Sequence, residues 1–311
     1  MADERLYFLV EEDSAGKRLD SYLAGLGELA HVSRSRLQGL IGSGHVLVNG
    51  KPRKKGYLVH REDRISVLLP PPVDSNPHPE ELPLDILYED DDIIVLAKPA
   101  GLVVHPACGH EEGTLVHGLL NHCPSLKEFS GDPLRPGIVH RLDKGTSGVM
   151  VVAKNESARH ELIRQFKDRE VEKIYHAVLT GVPEQEGTVR KSLGRHPVHR
   201  QKRAVLLEGG REAVTHWRVL EVLAGFALVR LRLDTGRTHQ IRVHMASLHC
   251  PVAGDPVYGR KKVPLKLSPP RLCLHASTLR FTHPAGRGKF EFTAPLPPDL
   301  REFLEVLRQK N

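Results

Sequence analysis

The segment 137–154 reads Gly-Ile-Val-His-Arg-Leu-Asp-Lys-Gly-Thr-Ser-Gly-Val-Met-Val-Val-Ala-Lys. It opens with a short apolar run, 137–139, passes through a polar turn punctuated by glycine, and ends in a second apolar run, 149–153. Both runs are too short and too rich in β-branched residues for a helix, so they predict two strands of a buried sheet. The turn between them then lies at one end of that sheet, with Asp143 at its bend.

The surroundings of Asp143 suit a reactive carboxylate. Arg141 and Lys144 lie on either side of it and favour its ionised form, while Gly145 and Gly148 leave room for a ligand to approach. An aspartate at a turn also has a purely structural use, because its side chain often caps the turn by bonding to the backbone. Local chemistry alone leaves both interpretations open.

The nine residues 140–148 resemble a known motif. His-Arg-Leu-Asp-Lys-x-Thr-Ser-Gly is similar to the catalytic loop of the RluA/RluD-type RNA pseudouridine synthases. The resemblance implies that Asp143 is the essential aspartate and that Arg141 is a candidate to fill the base stack vacated by a flipped-out uridine. It also makes His140 a candidate RNA contact. Gly145 departs from the family, in which this position is often acidic, but it lies outside the reactive group.

A second motif lies at 235–244, which reads Thr-Gly-Arg-Thr-His-Gln-Ile-Arg-Val-His. A polar turn there leads into an amphipathic segment that continues to Leu248. The motif resembles the family segment whose arginine pairs with the catalytic aspartate. We assign that role to Arg242, with Arg237 as the competing assignment and a candidate RNA contact. An arginine fork would hold the carboxylate in one rotamer and keep it ionised; the alternative for either arginine is a surface position at the start of a helix.

Residues 173–178 alternate in the way expected of a strand and contain Tyr175. They resemble the family's Lys-x-Tyr motif, which implies that Tyr175 stacks on the target base and is a candidate proton acceptor. A strand tyrosine is at least as often packed in the core with its hydroxyl satisfied, so that alternative stays open.

The segment 189–204 carries six Lys/Arg residues and no acid. Gly194 and Pro197 predict a loop, and a segment so basic must face water or phosphate. It resembles the RNA-gripping loop of the family, and Arg195 and Arg200 are its candidate contacts to a stem-loop backbone.

Residues 1–69 predict a small α/β module. Two short helices are followed by Asn49-Gly50, the strongest short signal for a two-residue hairpin turn. This order resembles the S4 RNA-binding domain, which implies that clustered basic residues contact phosphates without specifying sequence. A solvated basic face is the alternative. The candidate contacts are Arg34, Arg36, Lys51 and Lys54.

The rest of the chain predicts a linker and one larger domain. Six prolines between positions 70 and 83 predict an extended linker, which leaves 84–311 as the catalytic domain. Many short strands interleave there with a few helices and show no βαβ period, so we predict an α+β fold with a mixed or antiparallel sheet. The resemblance implies a pseudouridine-synthase-like sheet with a central active-site cleft.

The composition narrows the class of protein. The 311 residues carry a formal net charge of +7, with 40% hydrophobic and 27% charged residues, which suits a globular protein with a polyanionic partner such as nucleic acid. No apolar run reaches the length of a membrane span and the N-terminus lacks a signal-peptide pattern, so we expect a cytoplasmic protein without a membrane partner. The four cysteines are scattered, the 19 histidines lack the spacing of metal ligands, and the sequence has no glycine-rich phosphate loop. We therefore expect neither a metal nor a cofactor.

We therefore expect cofactor-free isomerisation of specific uridines to pseudouridine in structured RNA, with flipping of the target base. An S4-like module before this domain most resembles the branch that modifies large-subunit ribosomal RNA, so a 23S rRNA stem-loop is the expected partner of a monomeric enzyme. A synthase acting on tRNA or small-subunit RNA, and a non-catalytic RNA-binding or ribosome-assembly protein, are the alternatives. A hydrolase would require a second carboxylate near Asp143. Whether Asp143 attacks covalently or removes a ribose proton stays open.

Overall fold

The computed structural model describes residues 4–70, 76–107, 109–130, 132–199, 202–259 and 267–310. The chain divides into two compact units, Met1–Ser75 and Asn76–Asn311. Part of the predicted linker, 71–75, lies outside the described residues, as does the predicted RNA contact Arg200.

The first unit is a four-stranded antiparallel sheet with two short helices. Its strands run in the order β1-β4-β2-β3. The Ser33 side chain caps the second helix by accepting a hydrogen bond from Arg36 N. The predicted hairpin turn is present too, since Asn49 and Gly50 both have positive φ and Val48 pairs with Lys51 across it. The elements are β1 (Glu4–Leu9), α1 (Leu19–Leu23), α2 (Arg34–Gly42), β2 (Val46–Val48), β3 (Lys51–Pro52) and β4 (Arg64–Leu69).

The core of this unit lies between the helices and one face of the sheet. Alternate strand residues point inward, so the buried positions of β2 and β4 are two residues apart. They meet the apolar stripes of α1 and α2 in a single cluster that includes Leu19, Leu23, Leu37, Ile41, Val46, Val48, Ile65 and Val67.

The second unit is built on a ten-stranded sheet. Its strands are β5 (Ile86–Glu89), β6 (Ile93–Lys98), β7 (Ser147–Ala153), β8 (Glu172–Thr180), β9 (Glu186–Arg195), β10 (Arg203–Val205), β11 (Arg211–Leu223), β12 (Phe226–Leu233), β13 (Leu274–Thr282) and β14 (Lys289–Thr293). The strand order is β10-β9-β11-β12-β8-β13-β7-β6-β5, with β14 paired to β13. The β13–β7 pair is parallel and the other named strand pairs are antiparallel. The predicted α+β class with a mixed sheet is confirmed.

Helices cover this sheet at its centre. They are α3 (Leu115–His122), α4 (Glu156–Lys167), α5 (Gln240–Ser247) and α6 (Pro298–Arg308). Every residue of β7 is buried because Met150 and Val152 pack with α3 on one face, while Val149 and Val151 pack with α4 on the other. The turn that precedes β7 therefore lies at the end of a buried strand in the middle of the sheet. With 12 residues, α4 is the longest helix in the described parts of the chain, and none of the helices there is long and apolar enough to span a membrane.

Two local predictions were wrong. The run 137–139 forms no strand beyond a bridge from Ile138 to Val152, because Gly137 has φ 70° and lies against the Ala153 carbonyl, where a side chain would not fit. The basic segment 189–204 is not a loop throughout, since β9 continues to Arg195 and pairs with β11 and β10. Buried Val189 and Leu193 supply the alternation that holds β9 in the sheet.

Candidate active site

Asp143 lies in the turn that leads into β7. Its carbonyl oxygen accepts a hydrogen bond from Thr146 N at 3.0 Å, which closes the turn. Its side chain is 20% exposed and lines a cavity of about 120 Å³. Clefts for drug-sized ligands are larger, roughly 300–1,000 Å³. The cavity therefore suits one small ring and not an extended ligand.

Lys98, at the end of β6, fastens this turn to the neighbouring segment. It is 1% exposed, and its Nζ donates to the carbonyl oxygens of Pro99 at 2.7 Å, Leu102 at 2.9 Å and Lys144 at 3.4 Å. Burial lowers the pKa of Lys98 to about 7, although the charge of Asp143 acts in the opposite direction. Lys98 was not among the predicted site residues.

Arg271 holds the other side of the turn. Its Nη1 is 3.5 Å from the Gly145 carbonyl oxygen and its Nη2 donates to Ser147 Oγ at 3.2 Å. Its Nε donates at 2.6 Å to Asp299, in the first turn of α6. The turn that carries Asp143 is thus fixed through its backbone and its flanking side chains.

Arg242, in the first turn of α5, contacts two carboxylates. Its Nε and Nη2 donate to Oδ2 and Oδ1 of Asp255 at 2.7 and 2.9 Å, and its Nη1 donates to Asp143 Oδ2 at 3.1 Å. We expected the arginine fork to hold Asp143. Instead the fork binds Asp255, whose side chain is 0% exposed, and Asp143 receives one N–H of Nη1.

The charge of Asp255 is stabilised in this buried position. Burial raises its pKa, but the hydrogen bond and charge of Arg242 outweigh that effect, together with the N–H groups of Val257 and Tyr258, which donate to Oδ1 at 2.8 and 3.0 Å. The pKa of Asp255 therefore lies below its ordinary value. A buried anion on one side of Arg242 keeps that guanidinium in place for Asp143.

Arg237 and Arg242 occupy different surroundings. Arg237 is half-buried, lines the cavity and donates from Nε to the Glu212 carbonyl oxygen at 3.2 Å. Buried Gln240 fixes the start of α5, since its Oε1 accepts from Arg237 N at 3.0 Å and its Nε2 donates to the backbone of β11 at 2.9 Å. This geometry brings Arg242, and not Arg237, to Asp143.

Tyr175 lies on the central strand β8 and lines the same cavity. Its ring packs against two hydrophobic clusters, one that includes α5 and one that includes α3. Burial, and after it the charge of Asp143, raises the pKa of the phenol above its ordinary value. The hydroxyl is therefore protonated near neutral pH, which favours it as a hydrogen-bond donor and an aromatic surface over a proton acceptor.

Two further residues lie beside Asp143. His239 precedes α5 with a left-handed backbone, φ 58°, and its Nε2 is 3.8 Å from Asp143 Oδ2. Its Nδ1 is 2.9 Å from the hydroxyl of Tyr258, whose ring lies 5.1 Å from the Arg242 guanidinium carbon. Sequence reasoning missed Asp255 and Tyr258 as site residues, because no local pattern links 254–258 to the turn at Asp143. It also missed His239, although this residue lies inside the motif 235–244.

The other residues of the 140–148 motif divide between the cavity and the core. Arg141 is exposed, lines the cavity and has Nη1 3.3 Å from His105 Nε2. Thr146 is 2% exposed, also lines the cavity, and its hydroxyl has no hydrogen-bond partner among the described residues. His140 does not line the cavity. It stacks on Phe166, its Nε2 accepts from Val151 N at 3.1 Å, and burial lowers its pKa to about 3.

The segment 92–247 matches the family model described as RNA pseudouridylate synthase, and this match covers half of the chain. The chain belongs to the RNA pseudouridylate synthase family. A second match, to the S4 domain, covers residues 17–65 of the first unit and confirms the predicted S4 module.

Similar proteins span nearly the whole chain. "Ribosomal large subunit pseudouridine synthase D" of Neisseria meningitidis serogroup B is 45% identical over 98% of this chain and 83% of its own length. "Uncharacterized RNA pseudouridine synthase YlyB" of Bacillus subtilis is 43% identical over 96% of each chain. Among solved structures, human RNA pseudouridylate synthase domain containing 4 covers 72% of this chain and 92% of its own at 29% identity, with a TM-score of 0.57.

This membership confirms the family and the reaction expected from the motifs. The enzyme is an RNA pseudouridine synthase and its substrate is RNA. The cavity agrees with that chemistry, because Asp143 is the single carboxylate among the described residues that line it. Hydrolysis of a glycosidic bond uses two facing carboxylates, whereas the second carboxylate here, Asp255, is buried and bound to Arg242.

Five of the predicted RNA contacts of the synthase lie at the surface outside the cavity. Arg36 donates from Nη2 to the Pro70 carbonyl oxygen at 3.0 Å and Arg34 reaches Ser21 Oγ at 3.4 Å. Arg195 ends β9, next to β10. The exposed candidates are Arg34, Arg36, Lys51, Lys54 and Arg195.

Two clusters of histidine and carboxylate lie outside the cavity, at His78–Glu80–His117 and at Asp90–Asp92–His283. His117 Nδ1 accepts from Thr114 N at 3.2 Å, so its neutral ring carries the proton on Nε2, which faces Glu80. His283 Nδ1 likewise accepts from a backbone N–H, and its Nε2 donates to Asp90 at 2.8 Å. His283 thus uses both ring nitrogens in hydrogen bonds within the protein, and His117 uses Nδ1 while its Nε2 lies 3.6 Å from a carboxylate oxygen of Glu80.

Proposed function

We propose that this synthase isomerises specific uridines of large-subunit ribosomal RNA and that Asp143 is its catalytic carboxylate. The observation that carries the proposal is the contact of Asp143 Oδ2 with Arg242 in a cavity of single-base size. The reaction breaks the bond between uracil N1 and ribose C1′, turns the base and joins C5 to C1′, so nothing is added or removed overall except the exchanged C5 proton. One oriented carboxylate, acting as a nucleophile or a base, is the group that such a rearrangement requires.

Arg242 and Tyr175 are proposed to assist Asp143. Arg242, fixed by Asp255, orients the carboxylate through the hydrogen bond from Nη1. Tyr175 offers its ring to the flipped base and, being protonated, donates a hydrogen bond from its hydroxyl. The unpartnered hydroxyl of Thr146 is placed for a second hydrogen bond to the base or ribose.

Basic residues are proposed to hold the RNA around the cavity. Arg141 and Arg237 line the cavity, so they are placed to fill the vacated stack and to contact a neighbouring phosphate. In the S4 module the exposed residues Arg34, Arg36, Lys51 and Lys54 provide sequence-independent phosphate contacts, and Arg195 does so on β9. His140 is excluded from this set by its packing on Phe166.

The names of the relatives support a ribosomal target. Those of Neisseria meningitidis and Pseudomonas aeruginosa, 45% and 42% identical, are each named as acting on the large ribosomal subunit. We propose that this enzyme uses a 23S rRNA stem-loop, acts in the cytoplasm and is a monomer. In it, 1–69 would bind RNA, 70–83 would be the linker and 84–311 would catalyse.

Tritium release from [5-³H]uridine-labelled RNA tests this proposal, because formation of the C5–C1′ bond expels the C5 proton. We expect release from 23S rRNA by the wild type and a loss of about a thousandfold or more for Asp143→Asn, which keeps the shape of the side chain. Asp168→Asn, at the exposed end of α4, is the matched control and should retain full activity.

Mapping of the modified positions then names the target. Release from tRNA but not from 23S rRNA or ribosomal particles would overturn the proposed substrate. Activity retained by Asp143→Asn would overturn the proposed catalytic residue. Elution at twice the monomer mass on a sizing column would contradict the monomer.

A further inference from the structure

His239 and Tyr258 lie beside the reactive group, although the roles proposed for Asp143, Arg242 and Tyr175 do not involve them. The His239 ring spans the space between the Tyr258 hydroxyl, 2.9 Å from Nδ1, and Asp143 Oδ2, 3.8 Å from Nε2. Tyr258 is in turn held by strand β10, since Arg203 N donates to its hydroxyl oxygen at 2.8 Å. An unbroken series of polar groups therefore connects the basic hairpin β9–β10 to the carboxylate.

The neighbours of His239 favour one tautomer. A backbone N–H can only donate, so the hydroxyl oxygen of Tyr258 accepts from Arg203 and its own hydrogen is available to His239 Nδ1. The negative charge of Asp143 opposite Nε2 favours the same arrangement, because it attracts an N–H and repels a lone pair. A neutral imidazole that accepts at Nδ1 carries its proton on Nε2, which faces Asp143. Burial lowers the pKa of His239 and outweighs the opposing charge of Asp143, so the ring is neutral near pH 7.

The backbone at His239 is arranged for this orientation. Its φ of 58° is a left-handed conformation, which is unfavourable for a residue other than glycine. The conformation is maintained by the next residue, Gln240, whose side chain is hydrogen-bonded to Thr235, Arg237 and β11. Strain held in this way at the edge of a catalytic cavity indicates a function for the side chain it directs.

We propose that His239 and Tyr258 are positioning residues. Tyr258 orients His239 so that its Nε2–H, together with Arg242 Nη1, binds Oδ2 of Asp143. This leaves Oδ1 as the oxygen that reacts. This inference rests on the proposed catalytic role of Asp143. The 3.8 Å separation is longer than a hydrogen bond, and catalytic contacts commonly shorten to bonding distance when substrate binds. In the described part of the chain Oδ1 accepts no hydrogen bond, which agrees with its assignment as the reactive oxygen.

Two substitutions at position 239 separate positioning from a structural role. His239→Gln places an amide N–H2 where Nε2 lies, facing Asp143, whereas His239→Asn reaches only the position of Nδ1. Asparagine tolerates the left-handed backbone better than glutamine does. If His239 positions Asp143, single-turnover rates on a 23S rRNA transcript should be higher for the Gln variant than for the Asn variant. If His239 serves only the backbone, this order is reversed and the proposal is overturned.

Tyr258→Phe tests the second member of the pair. We expect the single-turnover rate to fall about tenfold to a hundredfold, as a displaced catalytic group would, with the dissociation constant for RNA unchanged. The double variant with His239→Ala should react no more slowly than His239→Ala alone, because both changes remove the same contact. Tyr88→Phe, whose hydroxyl donates to Asp90 at 2.9 Å, is the matched control and should keep the wild-type rate. Weaker RNA binding with an unchanged rate, or additive losses in the double variant, would refute the pair.

The imidazole tautomer gives a readout that needs no RNA. In ¹⁵N spectra of the free protein, with His239 assigned by its absence in His239→Gln, we expect a protonated Nε2 and an unprotonated Nδ1. Tyr258→Phe should abolish this preference, and a protonated Nδ1 in the wild type would overturn the proposal. An inactive wild type that shows the expected tautomer would count against the proposed function and not against the geometry of the pair.

Discussion

The turn at Asp143 and the turn 254–258 contact the same guanidinium, that of Arg242, and contribute different things to it. Asp143 meets it through one hydrogen bond and keeps 20% of its side chain exposed to the cavity. Asp255 meets it through two hydrogen bonds and is 0% exposed. One carboxylate is left available to a substrate and the other is committed to the protein.

This division explains how an arginine can orient a carboxylate without immobilising it. A bidentate pair fixes the plane of the guanidinium, so the N–H groups of Nη1 then point in fixed directions. The turn 254–258 supplies Tyr258 as well as Asp255, so both groups that approach Asp143 Oδ2, Arg242 and His239, depend on it. The reactive residue belongs to one region and its orientation to another.

Asp255→Asn gives the largest expected effect on this arrangement. The amide keeps the shape but leaves Arg242 buried with one carboxylate contact in place of two, and breaking a buried ion pair costs about 3–5 kcal/mol. We expect that loss of unfolding free energy in urea titrations, with a fall in the rate of pseudouridine formation. Asp299→Asn is the matched control, because Asp299 also binds an arginine bidentately but is 41% exposed, and it should lose about 1 kcal/mol or less. Equal losses in the two variants would show that burial of Asp255 is unimportant.

The pH dependence of the same variant has a definite sign. The pKa of Asp255 in the folded protein lies below its ordinary value of 3.8, so its contribution to stability is complete above that pH and disappears as pH falls through the folded pKa. The difference in unfolding free energy between wild type and Asp255→Asn should therefore be constant from about pH 5 to 7 and shrink in acid. A difference that grows as the pH falls would contradict this assignment.

Gly254→Ala gives the next effect, because it displaces the turn without touching its charges. Gly254 has φ 72°, and a Cβ there would collide with the carbonyl oxygen of Arg271. Gly286 also has φ 72°, but a Cβ there would meet no atom within 4 Å. Left-handed strain alone should cost Gly286→Ala about 1–2 kcal/mol, and we expect about 1 kcal/mol more at Gly254 from the collision. Thermal unfolding of both variants measures the difference, and similar midpoints would show that the turn yields easily.

The same contrast shows what the sequence could predict. Asp143, Arg242 and Tyr175 could be selected because each lies in a short motif with a recognisable order of residues, and the cavity does bring all three together. Asp255 could not be selected, because a Gly-Asp-Pro turn has an ordinary local explanation and its meaning depends on an arginine 13 residues away. His140 shows the reverse, since it lies within the motif yet packs against Phe166.

The fold shows a similar limit. The strand β8, with its clear alternation, could be predicted from its own residues, and so could the turn at Asn49. In β9 the charged residues outnumber the two buried apolar ones, so its sequence is typical of a solvated loop. The segment is a strand because it pairs with β11. Pairing energy from a distant strand is not visible in local composition.

Arg237→Gln gives the smallest expected effect and sharpens the comparison of the two arginines in one motif. Arg237 lines the cavity but pairs with a backbone carbonyl and not with Asp143, so its loss should weaken RNA binding and leave the chemical step unchanged. Loss of one phosphate contact lowers the slope of log affinity against log salt by about 1 and affects all sequences alike.

Arg308→Gln on α6 removes the same charge at a residue that already pairs with Glu221, and it serves as the control for net charge. In filter-binding titrations at several salt concentrations, the slope of log affinity against log salt should be lower for Arg237→Gln and unchanged for Arg308→Gln. Equal slopes in the two variants would show that Arg237 does not contact a phosphate of the RNA. Orientation of the carboxylate affects the chemical step, whereas a phosphate contact affects binding. A lower single-turnover rate for Arg237→Gln at saturating RNA would therefore show that Arg237 helps Arg242 to orient Asp143.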